Sequence, residues 1–441
     1  MIVRFCLYSV FKNLRFADPF FVLFLLALGR NFTEIGLLLG YQHLLTVATE
    51  VPSGYLADRL GRVKSLVGCF AMYAACYVLL ALGANYPPDW QLAGLYLALT
   101  CFGLGEALRT GSHKAIMLDY LDSTGQTARA TEVIGLTRMY SKCTAGASAL
   151  CGGLILFAWQ RFDVLFWLSA APAAAGVVLM WTYPKYLDGE SARAAPGGAA
   201  AAGSWRDGLR AVFGRPRSLR LLFHSVLFES QIEVVVKYYA QPVLSAGLGR
   251  YGVSLVATVG SALERSGAVW VGVFEMVRES LGGAAARLSP RFERATGGPA
   301  RALGLSYAAA AVLGALVVGV LLAWDDWLWV AVAYFVALTV LQNVRRPVFV
   351  GALNGEMEKS MRATVLSLES VARSISLAVT LPVVGLVADH FGLKYALLLP
   401  PLVLLAGWLV AAGRTGPVTA PPLRPDGPPS EAPETATPTA R

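Results

Sequence analysis

Long apolar runs follow one another along almost the whole chain. A helix rises about 1.5 Å per residue, so roughly 20 apolar residues span a bilayer core of about 30 Å. Only helices and closed barrels satisfy every backbone polar group in lipid. The runs are continuous and do not alternate in segments of about ten residues, which argues against a barrel. With 56% hydrophobic and 15% charged residues, the sequence predicts an all-α, polytopic membrane protein.

Twelve of these runs are predicted to be transmembrane spans. The first six are 5–29, 33–57, 65–84, 92–121, 131–157 and 162–184, and the last six are 219–246, 266–288, 299–323, 326–350, 361–387 and 391–413. The eighth is the weakest, because 247–266 is only moderately apolar and fits either an external loop or part of that helix.

The sequence between spans 6 and 7 divides the chain into two halves. Residues 187–218 combine small residues with a run of arginines, which predicts a basic cytoplasmic linker between six-helix bundles at 1–186 and 219–413. The halves contain similar motifs, such as Arg-Ala-Thr at 129–131 and again at 362–364, which fits a duplicated, pseudo-symmetric unit. Residues 414–441 are rich in proline and are expected to be a disordered cytoplasmic tail.

Loop charges predict the orientation and explain the net charge of +9. Lys and Arg concentrate in the loops after spans 2, 6, 8 and 10, which marks those loops as cytoplasmic. Both termini are therefore expected in the cytoplasm of a bacterial-type inner (plasma) membrane. The basic charge then belongs to topology and does not indicate nucleic-acid binding.

Several chemistries lack a sequence signature. No phosphate-binding Gly-x-x-x-x-Gly-Lys-Ser/Thr loop, nucleophile elbow or His/Cys cluster is present. The six cysteines lie in apolar segments of the first third of the chain and fit packing roles. We expect neither an enzyme nor a bound cofactor or metal.

A charged turn separates spans 2 and 3. It reads Gly-x-x-x-Asp-Arg-x-Gly-Arg-x-Lys and resembles the loop between helices 2 and 3 of the major facilitator superfamily (MFS). The resemblance implies that the aspartate faces the N-terminal end of helix 11, here near 362–365, and locks the halves together. The alternative is a basic loop that only sets topology. The predicted gating residues are Gly54, Asp58, Arg59, Gly61, Arg62 and Lys64.

Span 4 carries the densest intramembrane charge. Glu106, Arg109 and His113 are three and four residues apart, so they share a helix face. Ionisable residues in a span usually point into the bundle or a wet cavity. Glu106 is a candidate for proton coupling, and Arg109 and His113 are candidates for substrate contact. A structural ion pair and a structural histidine are the alternatives.

A second polar stripe lies on span 7. Glu229, Glu233 and Lys237 recur every four residues, and two carboxylates near a lysine make a plausible proton site. A self-neutralised structural stripe is equally compatible. Lys12 in span 1 and Arg138 in span 5 complete the candidates for substrate contact, together with Lys237.

The resemblance implies an MFS fold and transport by alternating access. The predicted function is secondary active transport of a small organic solute, anionic or zwitterionic, coupled to H⁺ and carried out by a monomer. Drug–proton exporters of the superfamily carry a glycine-proline signature in helix 5, and the stretch 146–153 has the glycine pair without the proline. The alternatives are a non-transporting receptor, assembly factor or lipid-handling protein on the same fold, and a passive facilitator.

Overall fold

Helices account for all regular secondary structure in the part of the chain that the structure describes. The computed structural model describes residues 1–83, 85–110, 112–126, 129–188, 216–254, 266–323, 328–356 and 362–412. Most of the linker at 187–218 and nearly all of the tail at 414–441 lie outside these residues, as does most of 247–266.

We number the α-helices in chain order. In the first part they are α1 Ile2–Asn13, α2 Phe21–Ala27, α3 Phe32–Leu60, α4 Arg62–Gly83, α5 Pro88–Arg109, α6 Ser112–Ser123, α7 Ala130–Trp159 and α8 Phe162–Trp181. In the second part they are α9 Pro216–Glu233, α10 Ala240–Gly249, α11 Gly267–Ala286, α12 Ser289–Ala295, α13 Pro299–Ala323, α14 Leu328–Glu356, α15 Arg362–Phe391, α16 Leu393–Ala396 and α17 Leu399–Ala412.

Every predicted span has a helical counterpart among the described residues. Seven helical stretches there are long and apolar enough to cross a membrane: α4, α5 with α6, α7, α8, α13, α14 and α15. Large apolar side chains such as Val3, Trp181 and Trp329 are exposed on the outside, as expected of a surface that meets lipid. The total of twelve membrane spans stays a prediction.

Several predicted spans are interrupted, which the sequence reading did not anticipate. The span at 5–29 breaks after Asn13 and resumes through a 3₁₀ turn at Asp18–Phe20. The span at 92–121 divides into α5 and α6. A π-helical turn, Val234–Tyr239, connects α9 to α10. Each break lies next to charged residues, and irregular backbone at membrane depth is tolerated where it is enclosed by protein or lines a cavity.

Two extensive helix–helix contacts join the first part of the chain to the second among the described residues. α3 packs against α15, and α7 packs against α11. A Cβ on Gly36 would lie 2.5 Å from the carbonyl oxygen of Leu381, and one on Gly153 would lie 2.5 Å from that of Ala268. Small residues let membrane helices approach this closely, so their backbones are in contact at these points.

Candidate functional site

Glu106 is the centre of a charged cluster between α1, α4 and α5. The Tyr73 hydroxyl donates to its Oε1 at 2.5 Å, and Arg15 Nη2 lies 3.3 Å from the same oxygen. Arg109 donates to Oε2 through Nε at 3.0 Å and Nη2 at 2.6 Å. The predicted contact between Glu106 and Arg109 is therefore present. Both oxygens of this carboxylate are engaged.

Lys12 lies beside this cluster near the end of α1. Its side chain is half-buried and is in electrostatic range of Arg109 and Glu106. Among the described residues its ammonium has neither a hydrogen bond nor an ion pair. Glu106 does not neutralise it directly, because both of its oxygens bind other donors. As far as the structure describes the chain, the cluster thus contains a cation without a protein partner.

Next to these cations, the rings of Tyr8 and His113 stack on each other. Their centroids are 3.5 Å apart and the planes differ by 9°. Tyr8 is 4% exposed and His113 is 8% exposed. Within the described part of the chain, Tyr8 Oη and His113 Nε2 have no hydrogen-bond partner. Unpaired buried polar atoms are unusual and call for a bound water, an ion or a functional role.

Glu229 is the centre of a second cluster, between α9, α14 and α15. It is 3% exposed, and Gln342 Nε2 donates to its Oε2 at 2.8 Å. Its Oε1 accepts no hydrogen bond from the described residues and lies 3.8 Å from Arg345 Nη1 and 3.9 Å from Arg346 Nη1. Arg346 instead makes a two-point contact with Glu369, at 2.7 and 2.8 Å.

Glu233 and Lys237 belong to a separate network one turn further along. Lys237 Nζ donates to Glu233 Oε1 at 2.9 Å, and Arg373 Nη1 lies 4.0 Å from Oε2. The π-helical turn also positions Tyr238, whose hydroxyl is 2.9 Å from Nε2 of His43 on α3. This bond joins the two parts of the chain, and the sequence offered no local signal for it.

Arg138 does not join either cluster. Its side chain is exposed on α7. One turn later, Lys142 Nζ lies 2.5 Å from Glu279 Oε2 on α11, and Arg278 bridges Glu275 and Glu279 at 2.6 and 2.9 Å. The charged contact between α7 and α11 is therefore made by Lys142.

The turn at 54–64 contains a sharp break at Gly61. α3 ends at Leu60, Gly61 has φ of +107°, and Arg62 starts α4. Arg62 Nη1 donates to Asp119 Oδ2 of α6 at 2.6 Å. Arg59 and Lys64 are exposed, and a Cβ on Gly54 would meet nothing within 4 Å. The side chain of Asp58 lies outside the described residues.

Asp389 makes an inter-helix contact that the sequence reading missed. Near the end of α15, it accepts hydrogen bonds from the backbone N–H groups of Phe32 and Thr33, at 2.9 and 2.8 Å, and from Thr33 Oγ1 at 2.6 Å. Those groups form the first turn of α3. The only available signal was an acidic residue at a span end, which does not identify a partner.

Comparison with known proteins identifies the fold's family. A family model of the Major Facilitator Superfamily matches residues 1–342. The chain belongs to the Major Facilitator Superfamily. This confirms the resemblance seen in the 54–64 turn, and it makes the protein an integral membrane protein of that superfamily.

Solved structures of the family have the same fold. The nucleoside transporter NupG is 13% identical, with a TM-score of 0.70, covering 93% of this chain and 96% of its own. A D-xylose-proton symporter is 12% identical, with a TM-score of 0.67, covering 92% and 95%. The POT family transporter PepTSo is 13% identical, with a TM-score of 0.68, covering 93% and 96%. At these identities the likeness shows the fold alone.

A sequence relative covers only part of the chain. The inner membrane transport protein YajR of Escherichia coli strain K12 is 26% identical over 159 residues. The match takes in 36% of this chain and 32% of YajR, so it spans about a third of that relative.

Proposed function

We propose that this protein is a secondary active transporter that moves a small organic anion or zwitterion by alternating access, coupled to H⁺. Its moving parts are the two six-helix bundles, 1–186 and 219–413, and it works as a monomer with both termini in the cytoplasm. The observation that carries the proposal is the pair of buried charge clusters, one in each bundle, inside a transporter fold.

The packing of α3 against α15 supports alternating access. Near Asp389 the helices touch through Gly36 and Gly385, whereas a Cβ at Gly54 would meet nothing. With the basic loops in the cytoplasm, the Asp389 end faces outward. This conformation is then closed to the outside.

Glu229 is the strongest of the three proton-coupling candidates. Glu106 is occupied by Tyr73 and two arginines, and Glu233 is bonded to Lys237. Glu229 is the most buried of the three, and its Oε1 accepts no hydrogen bond from the described residues. Protonation there would weaken the attraction to Arg345 and Arg346, so the proton would alter contacts between α9 and α14.

The charges of the first cluster favour an anionic group on the solute. Lys12, Arg15 and Arg109 face two carboxylates, those of Glu106 and Asp18. Burying a surplus cation in a span is costly unless a counter-charge arrives. Lys12, Arg109 and His113 are the proposed contacts in this bundle; Lys237 and Arg138 remain further candidates.

Proton movement in proteoliposomes tests the function. Vesicles loaded with pyranine, a pH-sensitive dye, receive a panel of monocarboxylates and amino acids, with protein-free vesicles as the control for passive permeation. We expect a member of the panel to acidify wild-type vesicles faster than protein-free ones. Glu229→Gln should lose this signal while exposed Glu132→Gln keeps it.

The outcomes separate the alternatives. Solute uptake without proton movement, unaffected by uncouplers, would indicate a passive facilitator. Neither uptake nor proton movement across the panel would favour a receptor, assembly or lipid-handling role. Proton-coupled uptake that survives Glu229→Gln would remove Glu229 from the coupling step.

A further inference from the structure

We infer that Lys12 and Arg109 form a subsite for the carboxylate of a monoanionic organic solute, bordered by the stacked rings of Tyr8 and His113. This inference rests on the proposed function for the solute's passage across the membrane. The inference names the side chains that bind the anionic group of the solute and the net charge that this group carries.

The absence of a partner for Lys12 is the first argument. Its segment lies within the predicted span 5–29, where a lysine normally snorkels to the interface or pairs with an acid. Within the described residues, its ammonium forms neither a hydrogen bond nor an ion pair. Two further cations, Arg109 and Arg15, are close enough to interact with it electrostatically. Like charges held together in a span require a counter-charge.

Arg109 can serve the same ligand. Its Nε and Nη2 donate to Glu106, while its Nη1 makes no hydrogen bond to any described residue. The side chain is 31% exposed, so this edge of the guanidinium is accessible. Glu106 therefore orients Arg109 and leaves it a free donor.

The packing of residues 5–15 against α5 and α6 brings Lys12 and Arg109 together. Tyr8 lies one turn before Lys12 on α1, and His113 lies one turn after Arg109, across the break between α5 and α6. Phe5 contacts Tyr120, Tyr8 stacks on His113 and Arg15 pairs with Glu106, so the two segments run in opposite directions past each other. Lys12 is then placed against Arg109. The unpaired Tyr8 Oη and His113 Nε2 supply polar atoms beside the cations.

The charge of the cluster selects a monoanion. Three cations face Glu106 and Asp18, so one carboxylate neutralises the group. A dianion would leave the cluster negative. A neutral solute would leave Lys12 uncompensated.

A first experiment needs no ligand. We compare the Tm of purified full-length protein with that of Lys12→Met, Arg15→Met and Lys114→Met, where Lys114 is an exposed lysine on α6. Removing an uncompensated cation should raise Tm by about 2 °C. Arg15→Met breaks two ion pairs and should lower it, and Lys114→Met should leave it unchanged. A fall in Lys12→Met like that in Arg15→Met would overturn the inference.

A second experiment compares carboxylates with their amides. Thermal shift in detergent, without any gradient, uses benzoate with benzamide, nicotinate with nicotinamide, and lactate with lactamide. We expect at least one carboxylate to raise the Tm of the protein and the matching amide to leave the Tm unchanged. The affinity for that carboxylate should fall at least tenfold in Lys12→Met and be retained in Lys12→Arg. Equal stabilisation by the amide, or unchanged affinity in Lys12→Met, would contradict the subsite.

The two experiments keep this inference separate from the proposed function. Carboxylate binding without uptake would contradict the proposed transport function and support the subsite. Uptake of neutral solutes at the same rate in Lys12→Met as in wild type would contradict the subsite and support the transport function. If no carboxylate of the panel binds, the Tm of Lys12→Met is the test of the inference, and a Tm below that of wild type contradicts it.

Discussion

The carboxylate of Asp389 binds both the backbone N–H and the hydroxyl of Thr33, at 2.8 and 2.6 Å, across 356 residues of sequence. A third bond comes from the N–H of Phe32. A carboxylate at a helix N-terminus satisfies free N–H groups and interacts favourably with the helix dipole. Asp389 thus holds the end of α15 to the start of α3, while Asp58 lies near the opposite end of the same pair.

Removing this carboxylate should open that end of the helix pair. Loss of a cap of this kind costs about 1 kcal/mol, which changes the ratio of closed to open molecules about fivefold. We expect Asp389→Ala to lengthen the distance between spin labels at Leu37 and Leu386, measured by pulsed electron resonance. Asp163→Asn, whose ion pair with Arg161 is local, is the control. An unchanged distance distribution would disprove the latch.

Asp58→Asn should act in the opposite sense. If Asp58 binds the start of α15 when the Asp389 end is open, its loss destabilises that state by about 0.3–1 kcal/mol. The population closed at Asp389 should then grow, and the Leu37–Leu386 distance should shorten or narrow. A shift toward longer distances, or accessibility of cytoplasmic cysteine reporters identical to wild type, would show that the turn sets topology only.

A side chain at Gly36 should prevent the close approach of α3 and α15. Its Cβ would lie 2.5 Å from the backbone oxygen of Leu381, which no side-chain rotation can relieve. Steric cost of about 1.4 kcal/mol or more should reduce uptake at least about tenfold in Gly36→Ala. Gly304→Ala, where a Cβ meets nothing within 4 Å, should transport normally. Normal uptake by Gly36→Ala would mean that this contact is not needed.

Glu369 should matter for stability more than for transport chemistry. It is 1% exposed and binds Arg346 at two points, so its removal leaves a guanidinium without its main partner. We expect Glu369→Ala to lower the free energy of unfolding by about 3 kcal/mol and Tm by several degrees. The exposed pair Arg129–Glu132 gives the comparison, since Glu132→Ala should leave Tm unchanged. Similar Tm values for both variants would refute the assignment.

Local features of this protein follow from sequence alone. Lipid demands continuous apolar helices, so the seven long apolar stretches and the charged turn could be recognised without coordinates. The contact between Glu106 and Arg109 was also predictable, because residues three apart on a helix are neighbours. The same reasoning anticipated the bond between Glu233 and Lys237.

Contacts between helices were decided only by the tertiary structure. Sequence spacing says which residues share a helix face, but the rotation and depth of each helix depend on packing against its neighbours. That packing places Asp389 on Thr33, stacks Tyr8 on His113 and leaves Lys12 without a partner among the described residues. It also directs Arg62 to Asp119, because the backbone turns at Gly61. Charged residues stand out in the sequence because the spans around them are apolar. Which of these charges contact one another is determined only by the packing of the helices.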